Sequence, residues 1–93
     1  MFAQQFAALG YQQITLSGAS SLTVPAGANF AIIAVDTAAV RWRDDGVAPT
    51  ASVGMPLSNT GAPLEYSGPL ASIQFIAQTG SPVLNVSYYR IAG

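Results

Sequence analysis

Residues 70–91 carry the reading that decides the fold: Leu70-Ala71-Ser72-Ile73-Gln74-Phe75-Ile76-Ala77-Gln78, then Thr79-Gly80-Ser81-Pro82, then Val83-Leu84-Asn85-Val86-Ser87-Tyr88-Tyr89-Arg90-Ile91. Two runs of strand length, rich in β-branched and aromatic residues, flank a connector of turn-forming residues. They are predicted to be the two longest strands, paired as an antiparallel hairpin. Tyr88 and Tyr89 are adjacent, so in a strand they point to opposite faces. One ring then fills the core and the other lies at an interface or sheet edge, with Tyr89 the interface candidate.

The same language extends upstream. Gln12 to Ser17 alternates Gln13, Thr15 and Ser17 against Gln12, Ile14 and Leu16, as a half-buried strand does. Gly18-Ala19-Ser20 is a turn, Leu22-Thr23-Val24 a short strand, and Pro25-Ala26-Gly27 its stop. Phe30 to Val35 is a continuous apolar run, which suits a strand in the middle of a sandwich. The turn Asp36-Thr37-Ala38-Ala39 leads into the alternating Val40-Arg41-Trp42-Arg43, predicting a second hairpin. Asp44-Asp45-Gly46 ends that strand, with aspartates to cap turn amides and Gly46 free to take positive φ. Residues 47–63 carry Pro49, Pro56 and Pro63, which limits them to loop and one short edge strand. Leu64-Glu65-Tyr66 alternates once more, with Glu65 toward solvent.

Seven to eight short strands with frequent turns define an all-β class: an antiparallel β-sandwich or a jelly-roll-like barrel. Residues 12–93 form one β domain. Residues 1–11 read as a short N-terminal arm or helix, because Phe2, Phe6 and Leu9 recur at i, i+4 and i+7 and Gly10 would stop a helix. That apolar stripe either packs on its own domain, as a helix or a strand, or docks on a neighbouring subunit.

The chain has 93 residues, of which 51% are apolar and only 8% charged, with a net charge of −1. Surface scaling for this size gives roughly 63% of the unfolded surface buried on folding, which is a modest core. A charge fraction far below the ordinary quarter leaves two explanations. Either neutral polar side chains face water, or much of the outside is buried against other copies. The small core and mean hydropathy of +0.40 favour the second.

Histidine, cysteine and lysine are all absent. Disulfides, thiolate metal sites and Ser–His, Cys–His or Ser–Lys nucleophiles are therefore impossible. Arg41, Arg43 and Arg90 are too few cations to track a phosphate backbone, so no nucleic-acid partner is expected. No apolar run is long enough for a membrane-spanning helix, and Met1 to Phe6 lacks a basic secretory start, so manufacture in the cytoplasm is expected. Asp36, Asp44, Asp45 and Glu65 read as turn or solvent-side residues rather than a catalytic pair. No enzyme activity, cofactor or metal is expected.

The segment Arg41-Trp42-Arg43-Asp44-Asp45-Gly46 holds most of the charge. Trp42 shares a face with Val40 and is expected in the core. Arg41 and Arg43 either pair locally with Asp44 and Asp45 or make a contact between subunits. Trp42 with Tyr66, Tyr88 and Tyr89 also raises a carbohydrate-binding platform on a virion surface or tail as an alternative function.

Several pieces resemble small β-rich structural proteins of tailed bacteriophages, of the head decoration (cement) type: Val40-Arg41-Trp42-Arg43-Asp44-Asp45-Gly46, Pro49-Thr50-Ala51-Ser52-Val53-Gly54-Met55-Pro56-Leu57, Leu64-Glu65-Tyr66, Ile73-Gln74-Phe75-Ile76-Ala77 and Leu84-Asn85-Val86-Ser87-Tyr88-Tyr89. The resemblance covers a little over half the chain and is a fold signature, not an active-site motif. It implies a virion subunit, favouring the capsid surface and a homotrimer, that stabilises the head by binding between capsid proteins. The interface candidates are Phe2, Phe6, Leu9, Arg41, Arg43, Asp44, Asp45 and Tyr89.

Overall fold

Strict alternation from Val83 onward turns Leu84, Val86 and Tyr88 inward, where each is at most 1% exposed. This C-terminal strand organises the rest. The structure, a computed structural model, describes residues 5–92. Eight strands run β1 Gln5–Thr15, β2 Ser20–Ser21, β3 Phe30–Asp36, β4 Val40–Arg43, β5 Met55–Leu57, β6 Leu64–Tyr66, β7 Gln74–Ala77 and β8 Val83–Ala92. They form two four-stranded sheets of order β1-β8-β3-β6 and β2-β7-β4-β5, antiparallel throughout. Each early strand finds a late partner: β1 with β8, β2 with β7, β3 with β6 and β4 with β5. That is a long antiparallel ribbon rolled on itself, the jelly roll.

The core lies between the sheets and joins Leu16, Leu22, Ala31, Ile33, Val35, Val40, Ile73, Phe75, Leu84 and Val86. The alternations expected for Gln12–Ser17 and around Glu65 hold, with Leu16 buried and Glu65 exposed. Gly46 takes φ 85° as its turn requires.

Four local expectations are corrected. Thr79–Pro82 does not close a hairpin, because β7 and β8 lie in different sheets. Likewise β3 and β4 are not a hairpin. In a rolled ribbon only β4 and β5 are both consecutive and neighbours, so every other connection crosses between layers. Leu70–Ser72 is a turn, with Ser72 N–H donating to the Pro69 carbonyl (2.9 Å), so β7 begins only at Gln74. The short strand near residue 22 is Ser20–Ser21, two residues early, while Leu22 drops into the core.

The apolar stripe of residues 1–11 is not a helix from Gln5 onward; it is the first half of β1. Phe2 lies outside the described residues. The register against β8 shifts between Ala8 and Gly10. An extra residue at such a bulge reverses which side chains face inward. Before it, Ala8 pairs with the outward Tyr89; after it, Gly10 pairs with the inward Tyr88. Cross-strand partners share a face, so the two halves of β1 present opposite parity.

The β3–β4 crossing bends at Thr37, whose φ of 83° is unusual for a β-branched residue. Ala38 N–H donates to the Asp36 carbonyl at 3.0 Å. This i→i+2 bond about a positive-φ centre is the strained form of γ-turn. Thr37→Gly is expected to raise the unfolding free energy by roughly 0.5–1 kcal/mol, because relief of strain exceeds glycine's entropy cost. Phe75→Ala is expected to lower it by about 3–5 kcal/mol. Urea titrations of both variants check these values.

Candidate functional site

The charged segment sits at one end of the sandwich, where β4 emerges into the 44–54 loop. Val40 and Trp42 face inward, as expected, but Trp42 is only partly buried at the flank of the core. Its indole meets the Tyr66 ring edge-on, with centroids 5.9 Å apart and planes at 68°. Tyr66 belongs to the opposite sheet, so this contact ties the two layers together. The Tyr66 hydroxyl donates to Asp44 Oδ2 at 2.6 Å. A Cβ built on Gly68 would lie 2.5 Å from that hydroxyl oxygen, so only glycine admits the ring in this position.

Arg41 and Arg43 point out of the second sheet and behave differently. Arg43 Nε donates to Asp45 Oδ1 at 3.0 Å, and its Nη2 to Oδ2. That hydrogen bond, with a smaller attraction of charges, holds the Asp45 carboxyl below and the Arg43 guanidinium above their ordinary values. Both groups are solvent-exposed, so the pair adds little stability. Arg41 does not pair with an aspartate. Its Nε donates to the Ala51 carbonyl (3.2 Å) and its Nη1 to the Gly54 carbonyl (2.8 Å), pinning the loop to β4. Gly54 has φ 145°, and a Cβ there would be 3.1 Å from the Trp42 carbonyl oxygen.

Trp42, Arg43, Asp44, Asp45, Val53, Gly54 and Met55 line an open groove of about 580 Å³. Its carboxylates are engaged with Tyr66 and Arg43. Asp36 accepts from Asn85 Nδ2 (2.9 Å) within the first sheet, away from the groove, and Glu65 lies apart on β6. Among the described residues, no three metal-ligating side chains come together. The flat aromatic platform also fails to form. Tyr66 and Tyr88 are buried in the core, while Tyr11 and Tyr89 lie on the first sheet.

A second cluster covers the outer face of the first sheet. Tyr89 pairs with Phe30 across β8 and β3, so both point outward. Phe6 packs edge-on against Phe30 at 5.5 Å and Tyr89 at 6.0 Å. Phe30 is covered by this arrangement, but Phe6 remains 51% exposed and Leu9 38%. Three interface candidates, Phe6, Leu9 and Tyr89, therefore gather at one end of β1 and β8, far in sequence from Arg41, Arg43, Asp44 and Asp45. Sequence reasoning missed Phe30 as an outward residue. The signal was its continuous apolar run: Phe30, Ile32 and Ala34 alternate with core residues, so β3 is apolar on both faces.

No protein-family model, curated protein or solved structure matches this chain.

Burial raises the phenol pKa of Tyr66, helped by its bond to Asp44, and pushes that of Tyr88 up to about 12. A folded-state value raised above the unfolded value of 10 leaves stability intact below pH 10 and removes it as pH rises further. Unfolding is thus expected at alkaline pH above 10, with tyrosinate absorbance from these two rings rising together with loss of circular dichroism. Tyr66→Phe is expected to weaken the upper-pH dependence while costing about 1 kcal/mol at neutral pH, from the lost hydrogen bond.

Proposed function

We propose that this chain is a non-catalytic structural subunit of a bacteriophage particle, a capsid decoration (cement) protein that binds between capsid proteins and to copies of itself. The observation that carries this is the outer face of the first sheet, where Phe6, Tyr89 and the outward side of β3 present apolar surface on a chain that is only 8% charged. A contiguous apolar area of this kind suits burial against protein. The jelly roll recurs in viral capsid proteins and lectins, and that support is fold-level analogy. The resemblance of residues 40–90 to head decoration proteins points the same way.

A decoration subunit is held by its surfaces and needs a stiff body. Arg41 clamping two loop carbonyls and Tyr66 bridging to Asp44 supply such stiffness at the loop end. The carbohydrate-binding alternative keeps only Trp42 as an aromatic in the groove, so we rank it second. Mass spectrometry of purified phage particles whose genome encodes the chain tests the proposal. Peptides from it are expected in amounts comparable to the major capsid protein, and their absence from intact particles would overturn the assignment.

A further inference from the structure

The four sheet edges of this sandwich are not alike. β2 has two residues, β6 has three and follows Pro63, and β5 carries Pro56 at its centre. Short length and proline are the ordinary devices that stop one edge strand from recruiting another. β1 has neither. It runs eleven residues, Gln5–Thr15, with no proline and no charged side chain. At about 3.4 Å per residue this is roughly 37 Å of sheet edge. Among the described residues β8 is its one paired strand, and no other backbone–backbone hydrogen bond reaches it. Its outward N–H and C=O groups are thus open along most of the molecule's length. Three of the large exposed hydrophobics also sit on it: Phe6, Leu9 and Tyr11, at 51%, 38% and 63% exposure.

We propose that the free edge of β1 pairs antiparallel with β1 of a second copy, joining two four-stranded sheets into one continuous sheet of eight. A second copy is the occupant that the charge pattern favours. Two uncharged strands meet without like-charge repulsion, whereas a charged partner strand would find no counter-charge on β1. A two-fold axis perpendicular to the sheet keeps both outer faces on the same side. The Phe6–Phe30–Tyr89 clusters of the two copies then lie on the same side of the eight-stranded sheet, at opposite ends of the β1 pair. Such a contact is self-complementary and closes as a dimer, unlike the trimer implied by the resemblance. The proposal deepens the structural-subunit reading by naming how two copies meet, and its test is independent of the particle composition.

The test uses the full chain in three forms: unchanged, Ala8→Lys with Tyr11→Lys, and the neutral control Ala8→Ser. Ala8 and Tyr11 are exposed, so lysines there leave the core intact, which circular dichroism and slow exchange of β8 amides verify. Light scattering over a dilution series reports mass, and hydrogen exchange reports protection of β1 amides. The expected result is a mass of two chains, with β1 amides protected in proportion to dimer. The double lysine variant is expected to raise the dimer dissociation constant at least about tenfold, a change of about 1.4 kcal/mol, and Ala8→Ser to leave it unchanged. A monomer at all concentrations overturns the proposal and leaves the virion assignment standing. So does a trimer, or any oligomer whose mass ignores the lysines and whose β1 amides exchange freely, since assembly then uses another surface.

Discussion

Everything in this fold depends on the last strand entering between the first and the third. β8 pairs with β1 from Gln5↔Ala92 to Thr15↔Val83, and with β3 from Phe30↔Tyr89 to Asp36↔Val83. Without β8, β1 has no backbone partner and β3 retains only the three-residue β6. The inner side chains of β8 are the most completely buried series in the molecule. Tyr88 shows how burial and polarity are reconciled there: its hydroxyl donates to Gln12 Oε1 at 2.7 Å, and the same oxygen accepts Thr23 N–H at 3.0 Å. One glutamine thus satisfies a core tyrosine and the backbone of the segment leading from β2. Contacts between chain ends of this kind are costly in loop entropy before they form, so folding is expected to be slow for the size of the domain.

Strand positions were legible because they rest on local alternation. The β4 and β6 spans, the central place of β3, the inward Val40 and Trp42 and the turn at Gly46 all follow from period-two patterning and glycine chemistry. Connections were not legible. A tight turn within a sheet and an arch between sheets use the same residues, and Thr79-Gly80-Ser81-Pro82 satisfies both. What separates them is where the following strand finds partners, and β8 finds one near residue 10 and another near residue 33. The stripe of Phe6 and Leu9 misled for a related reason. A bulge breaks strict alternation, and broken alternation in a short apolar stretch imitates helical spacing.

The charged segment was partly legible. Arg43 and Asp45 are two residues apart and could be matched by proximity alone. Tyr66 reaches Asp44 from 22 residues away and from the other sheet, a pairing no local pattern contains. Arg41 illustrates a further limit. Arginine near aspartates suggests an ion pair, but backbone carbonyls of a tight loop compete for the same donors. The loop holds itself closed through the Thr50–Val53 bridge, with N···O distances of 2.9 and 3.2 Å. That closure turns the Ala51 and Gly54 carbonyls toward Arg41, and two fixed acceptors outmatch an exposed carboxylate.

The pairing of Gln5 with Ala92 has an architectural consequence. Polypeptide attached beyond either end leaves from the same corner of the body, beside the aromatic cluster. A short linker there could join the two ends and turn the chain into a ring. The ring could be reopened in the fully exposed stretch from Ser58 to Pro63, giving a permuted chain with the same strand pairs. In that order β6 would come first and β5 last. β8 would then be made directly before β1 and in covalent continuity with it, rather than after all the strands between them.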